Sequence, residues 1–180
     1  MGRTKALIDV DGVPMAGRVA GALRDAGCAT VVAYGGDPEE LEPLGIPVLP
    51  DRYPGSGPLG GVLGALEVFA ATDLTIGGVF VVACDLPALT GADLADMIAS
   101  ARVHPDADVV VARTSAIEPA CAIWNPAAVA SIQRWFGEGE RALHVAIARL
   151  SAVVVDLDAA ALRNMNTQAD LDRYPGVRDS

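Results

Sequence analysis

The sequence predicts an α/β fold with a largely parallel sheet and helices packed on its faces. Short β-branched runs alternate with longer segments of helical spacing, the order that a parallel sheet with crossover helices requires. The 180 residues, 52% apolar and 20% charged, suffice for one compact domain burying about 70% of the surface its unfolded chain exposes. No internal repeat, low-complexity tract or linker breaks the chain, so residues 1–180 read as a single domain.

Each element has a local reason. Pro14 opens the first helix where a missing N–H costs nothing; Met15, Val19, Ala22 and Leu23 share one face, and Gly27 closes it. Strands follow at Ala29 to Tyr34 and at Pro47 to Leu49, then a helix over Leu59 to Ala71. The apolar run Val79 to Cys84 is the next strand. Thr90, with Asp93 three residues on, resembles a capping box before a helix that buries Leu94, Met97 and Ile98. Further strands are predicted at Asp108 to Ala112, Ala120 to Trp124 and Val153 to Leu157. Helices are predicted at Pro126 to Phe136 and Arg141 to Leu150, split by Gly137-Glu138-Gly139, and at Gln168 to Tyr174 behind a Thr167 cap.

Thirteen basic against twenty-three acidic residues give a net charge of −10, which opposes binding to nucleic acid or anionic lipid and favours a small-molecule partner. No apolar run approaches the roughly 20 residues a membrane helix needs, and no signal-peptide core follows Met1. Cys28, Cys84 and Cys121 are scattered and odd in number, which suits a reducing, cytosolic setting and argues against structural zinc. His104 and His144 are far apart and no G-x-S-x-G occurs, so triad hydrolysis is unsupported.

Ligands of open parallel sheets bind beyond the carboxyl ends of the strands. Val79 to Cys84 runs straight into Asp85-Leu86-Pro87, which makes Asp85 the first metal candidate; a turn or cap role fits its position equally well. Mg²⁺ often takes only one or two protein carboxylates and fills the rest of its shell with water and phosphate oxygens. Asp51 repeats the arrangement after Pro47-Val48-Leu49-Pro50, though an Asp there is more often turn-forming. Behind it, Tyr53 to Gly61 is a glycine-rich loop entering a helix N-terminus, suited to a nucleotide, or to close helix packing. Lys5 is the sole lysine, the other twelve basic residues being arginines; its compact ammonium suits a phosphate. Asn164 and Asn166 share one face of an extended segment and could reach one ligand, or could serve as loop and cap residues. Cys84 reads as a buried, inert thiol.

Together these pieces resemble the molybdenum cofactor guanylyltransferase (MobA) family of nucleotidyltransferases. The resemblance rests on Met1-Gly2-Arg3-Thr4-Lys5-Ala6-Leu7, Asp11-Gly12-Val13-Pro14, Pro47 to Asp51, Gly57-Pro58-Leu59-Gly60-Gly61, Ala83 to Pro87, Pro119 to Trp124, Gly139-Glu140-Arg141 and Asn164 to Thr167, all in the family's order. It implies a three-layer α/β/α Rossmann-like, GT-A-like nucleotidyltransferase fold that transfers GMP from GTP to molybdopterin and releases pyrophosphate. It also implies that Lys5 and Asp85 are catalytic and that Asp85 holds Mg²⁺, with Mn²⁺ as a substitute. The nucleotide would meet Lys5, Tyr34, Gly35, Asp51, Gly57, Pro58, Leu59, Gly60 and Asp85, and the pterin Asn164, Asn166 and Arg141. Molybdoenzyme assembly proteins would be further partners.

The family opens with a buried strand and a Leu-Ala-Gly-Gly type loop ending in Arg-Met-Gly, whereas this chain starts at the Met of that last triplet. The missing piece is roughly 20 residues for a strand of ordinary length. The expectation is a reading frame that continues upstream of Met1; without the loop's N–H groups, nucleotide binding should be weak. Three rival readings stand beside this one: a cytidylyltransferase for the same pterin, a nucleotidyltransferase for sugar or polyol phosphates, and a non-catalytic nucleotide-binding or assembly protein.

Overall fold

The computed structural model describes residues 5–71 and 77–165. A 3-10 turn at Lys5–Leu7 leads into a hairpin of β1 (Asp9–Val10) and β2 (Val13–Pro14). Asp11 and Gly12 turn it with φ of 53° and 77°, the left-handed pair that a two-residue hairpin favours and that Asp-Gly supplies. Helix α1 (Met15–Asp25) starts directly after Pro14 and ends at Gly27 (φ 92°), with Cys28 N–H donating back to Leu23 O at 3.0 Å.

The short parallel pair β3 (Ala33–Tyr34) and β4 (Val48–Leu49) forms one sheet. Ala29–Val32 lies outside β3, and a helical turn not expected from the sequence, α2 (Pro38–Leu41), fills the connection, capped by the Asp37 carboxylate on Glu39 N–H at 2.9 Å. Helix α3 (Gly57–Ala70) begins two residues earlier than predicted, with Pro58 in its first turn. Then come β5 (Val79–Val82), α4 (Gly91–Val103), β6 (Val109–Arg113), β7 (Ile117–Trp124), α5 (Val129–Gly137), α6 (Leu143–Ala148) and β8 (Ala152–Asp156). The predicted helix at Gln168 to Tyr174 lies outside the described residues.

The main sheet has the order β5-β7-β6-β8. Three strands point the same way; β7 is antiparallel to both its neighbours, and β6 and β8 are parallel. Strand alternation sends Val109, Val111, Ala122 and Trp124 to a core shared with α3, α5 and α6. It sends Val110, Ala112, Cys121 and Ile123 to a second core under α1 and α4. A sheet buried on both faces is the middle of three layers, as predicted. Each fully buried large side chain, such as Leu63, Leu66 or Leu94, contributes roughly 1.5–3 kcal/mol through the apolar surface it removes from water. The predicted capping box at α4 forms: Thr90 and Asp93 exchange side-chain and backbone hydrogen bonds. No described helix is long and apolar enough to cross a membrane.

The loop from β4 to α3 is tied down by Glu67, which sits on α3 with its side chain 14% exposed. Its carboxylate accepts from Tyr53 Oη at 3.0 Å, Gln133 Nε2 at 2.7 Å and Arg52 Nη1 at 3.3 Å. Burial raises this carboxyl's pKa, but the hydrogen bonds from Gln133, Tyr53 and Arg52 and the Arg52 charge outweigh it and hold the group below its ordinary value. A carboxyl lowered on folding stabilises the protein above its unfolded pKa and loses that contribution as pH falls through the folded one. The stability gap between the parent and Glu67→Gln is therefore expected to be full at pH 7 and to close as pH drops below about 4.3. Urea melts across that range check it, and a gap independent of pH would refute the assignment.

Candidate active site

Asp85 stands just past the carboxyl end of β5, where the strand-end rule put it. Three hydrogen-bonded contacts fix it. Ala83 N–H donates to Ala120 O at 2.8 Å, Met165 N–H donates to Asp85 O at 2.9 Å, and Lys5 Nζ lies 2.5 Å from Asp85 Oδ2. Behind the acid, Arg18 of α1 donates Nε to Pro87 O at 2.9 Å and Nη1 to Val10 O at 3.2 Å, tying the loop after Asp85 to the β1–β2 hairpin. Arg18 was not singled out by sequence, because an arginine on an amphipathic helix reads as a solvated face.

The segments that bring Lys5 and Asn164 to Asp85 rest on an apolar floor. Val10, Met15 and Met165 are buried together with Ile8 packed against them, and Met15 N–H donates to Ile8 O at 2.9 Å. Burying these side chains draws residues 5–15 and 163–165 to the same strand end, so the charge pair is placed by hydrophobic contact and not by attraction alone. The Lys5 and Asp85 side chains are 36% and 19% exposed, so the pair is half-buried at the protein surface.

One oxygen is left over. Asp85 Oδ1 is buried and has no hydrogen-bond partner among the described residues. Leaving a carboxylate oxygen unmatched costs about 1–3 kcal/mol or more, and a hard cation held by oxygen removes that cost. Among the described residues no group of three His, Cys, Asp or Glu side chains forms a cage. The donor set therefore fits an ion completing its shell with substrate oxygens and water.

The other predicted positions fall into two groups. Asp51 follows β4 and accepts Tyr53 N–H at 2.8 Å, the turn-forming geometry, with the carboxylate exposed. The Tyr34 hydroxyl accepts Arg52 N–H at 2.8 Å and packs on Gly64, where a Cβ would collide with it. Gly35 N–H donates to Leu49 O at 2.8 Å and stands beside Asp51. Gly60 is closed in by Ser56, Tyr53 and Phe136, so its lack of a side chain serves packing. Leu59 is buried in the core and its N–H donates to Arg141 O at 3.2 Å.

Gly57 (φ 76°) and exposed Pro58 are left at the mouth of α3. Pro58, Glu118, Pro119, Ala120 and residues 141–144 line a cavity of about 470 Å³, a volume suited to a small molecule. Arg141 stacks on Phe136 at 3.9 Å and gives Nη1 to the Phe136 and Glu140 carbonyls at 2.7 and 2.6 Å. His144, set aside by the sequence reading, is also on that wall. Asn164 Nδ2 donates to Glu118 Oε2 at 3.3 Å; Asn166 lies outside the described residues. Cys84, expected to be buried, is only half-buried, because β5 ends at Val82 and the thiol sits at the rim; partial burial first, then the neighbouring Asp85 charge, raises its pKa.

Glu118 was missed by the sequence reading. The strand was expected to start at Ala120, because Pro119 argues against a regular strand at that point. In the structure β7 starts at Ile117 and bulges: Val111 pairs with Ala122 but Ala112 pairs with Glu118, so Pro119, Ala120 and Cys121 bow away from β6. The bow carries Glu118 between the cavity and Asn164.

Residues 1–153 match the family described as the MobA-like NTP transferase domain. The molybdenum cofactor guanylyltransferase of Rhodobacter capsulatus is 36% identical over 181 residues, which covers 96% of this chain and 87% of that protein. Among solved structures, molybdopterin-guanine dinucleotide biosynthesis protein A from Archaeoglobus fulgidus superposes with a TM-score of 0.74 at 22% identity, covering 96% of this chain and 89% of that one. Rv0371c from Mycobacterium tuberculosis, solved in complex with manganese, superposes with a TM-score of 0.67 at 16% identity, covering 96% and 92%. With its three layers, its strand-end acid and the match over residues 1–153, the chain belongs to the MobA-like NTP transferase family.

Proposed function

We propose that this nucleotidyltransferase is a molybdenum cofactor guanylyltransferase: it transfers GMP from GTP to the terminal phosphate of molybdopterin and releases pyrophosphate. The observation that carries this reading is the half-satisfied Asp85 carboxylate beside Lys5 at the end of β5. The 36% identity to the Rhodobacter capsulatus enzyme over nearly the whole chain supports the choice of nucleotide and acceptor. GTP and molybdopterin are then its partners, with molybdoenzyme assembly proteins receiving the product in the cytosol.

The reaction forms a bond from a molybdopterin phosphate oxygen to the α-phosphorus of GTP and breaks the bond to the β-phosphate oxygen. No protein nucleophile is needed, so the residues act by alignment and charge neutralisation. Asp85 would hold the divalent ion through Oδ1; Mg²⁺, or Mn²⁺ as in the fold relative solved with it, would polarise the phosphate and stabilise the leaving group. Lys5, paired with Oδ2, would bring its ammonium charge to the phosphate oxygens and offset negative charge as the two anions meet. Asn164, with Arg141 at the cavity wall, would face the pterin, and the Gly57-Pro58 turn and Asp51 the nucleotide.

Asp85→Ala is expected to cut pyrophosphate release from GTP and molybdopterin by at least about 10²-fold while the circular dichroism spectrum is unchanged. Parent-like turnover would falsify the role of the acid. Lys5→Arg keeps the charge but replaces a compact ammonium with a planar fork, and should weaken GTP binding about tenfold. Equal affinities on titration would make the sole lysine incidental. Offering GTP and CTP together should yield only the guanine product; a preference for CTP would make the protein a cytidylyltransferase instead.

A further inference from the structure

Asp85 and Asn164 belong to a closed ring of backbone and side-chain contacts, and Glu118 is the member with no role so far. From Asp85 the ring passes by hydrogen bond to Met165, along the chain to Asn164, and by a second hydrogen bond of 3.3 Å to Glu118. It returns through Pro119 to Ala120, crosses a third hydrogen bond of 2.8 Å to Ala83, and follows Cys84 back to Asp85. Glu118 is itself steadied by Ala120 N–H, which donates to Oε1 at 3.3 Å.

The chemistry of an amide gives this contact direction. A primary amide has a donor end and an acceptor end, and only the acceptor end can ligate a cation. A carboxylate only accepts, so Glu118 captures the Nδ2 end of Asn164 and turns the carbonyl oxygen away from itself. With that anchor removed, the amide can flip and offer its N–H groups to the same position, where they would repel a cation.

Resting on the cation site proposed at Asp85, we infer that Glu118 is a positioning residue: by holding one Nδ2 hydrogen of Asn164 it presents the Asn164 carbonyl oxygen to the divalent ion beside the acid and leaves the second Nδ2 hydrogen for the pterin. The bulge in β7 places the carboxylate there, and bulges beside sites commonly re-aim a side chain in this way. Hydrogen-bond partners of metal ligands are worth about 10–100-fold in metal affinity or activity.

The test uses the full chain with a non-hydrolysable α,β-methylene analogue of GTP, and measures Mn²⁺ affinity from the free-ion electron paramagnetic resonance signal. Glu118→Ala should weaken Mn²⁺ about tenfold, whereas Glu118→Gln, which keeps an acceptor for Asn164, should stay within about threefold. In an Asn164→Ala background, Glu118→Ala should cost nothing further, since the partner through which it acts is gone. Additive losses, a Gln variant as weak as the Ala variant, or unchanged Mn²⁺ affinity in Glu118→Ala would each overturn the assignment. If Glu118→Ala does not fold, Glu118→Met carries the same comparison. Asp85→Ala separates the two levels: if it binds Mn²⁺ like the parent, the cation site itself is refuted, whereas its loss alongside an unaffected Glu118→Ala refutes the role of Glu118 alone.

Discussion

The contact between Lys5 Nζ and Asp85 Oδ2 is the constraint on which the site depends. An acid at the end of an apolar strand is an ordinary consequence of a sheet that stops at its surface. What sets this one apart is that one oxygen is bound by a cationic group while the other is buried without a partner among the described residues. The fold holds both residues there through a small apolar cluster of Val10, Met15 and Met165 and not through the charges themselves. A half-exposed ion pair alone would contribute about 0–1 kcal/mol and could not organise two distant chain segments.

Much of the scaffold was legible because it is governed by periodicity. Alternating residues in β6 and β7 divide between two cores, and that alternation is visible in the sequence as runs of Val and Ala with no polar face. The capping box at Thr90 and Asp93 and the Gly27 termination are local chemistry, so both are readable without tertiary information. The place of Asp85 at a strand end was readable for the same reason, since the strand alone locates it.

The misreadings have a common cause, which is that distant partners decide them. Residues 29–32 are apolar enough for a strand but find no ladder partner among the described residues, and β3 contracts to Ala33–Tyr34. Pro119 signals a break, yet β5 supports the bulged segment from the other side, pairing Val82 with Cys121, and β7 continues to Ile117. Glu118 and Arg18 were overlooked because their contacts to Asn164, Pro87 and Val10 join residues that no helix or strand period brings together. Gly60, expected at a ligand, is also the space into which the side chains of Ser56, Tyr53 and Phe136 pack, a role only the tertiary neighbours reveal.

The composition of the site has a practical corollary. Because Lys5 supplies the chain's sole side-chain amine and is only partly covered, amine-directed acylating or Schiff-base reagents have one side chain to modify, and it is the one beside Asp85. Once labelling at the chain's α-amino terminus is subtracted, such a reagent reports on one side chain, whose protection or labelling reads out occupancy of the strand end.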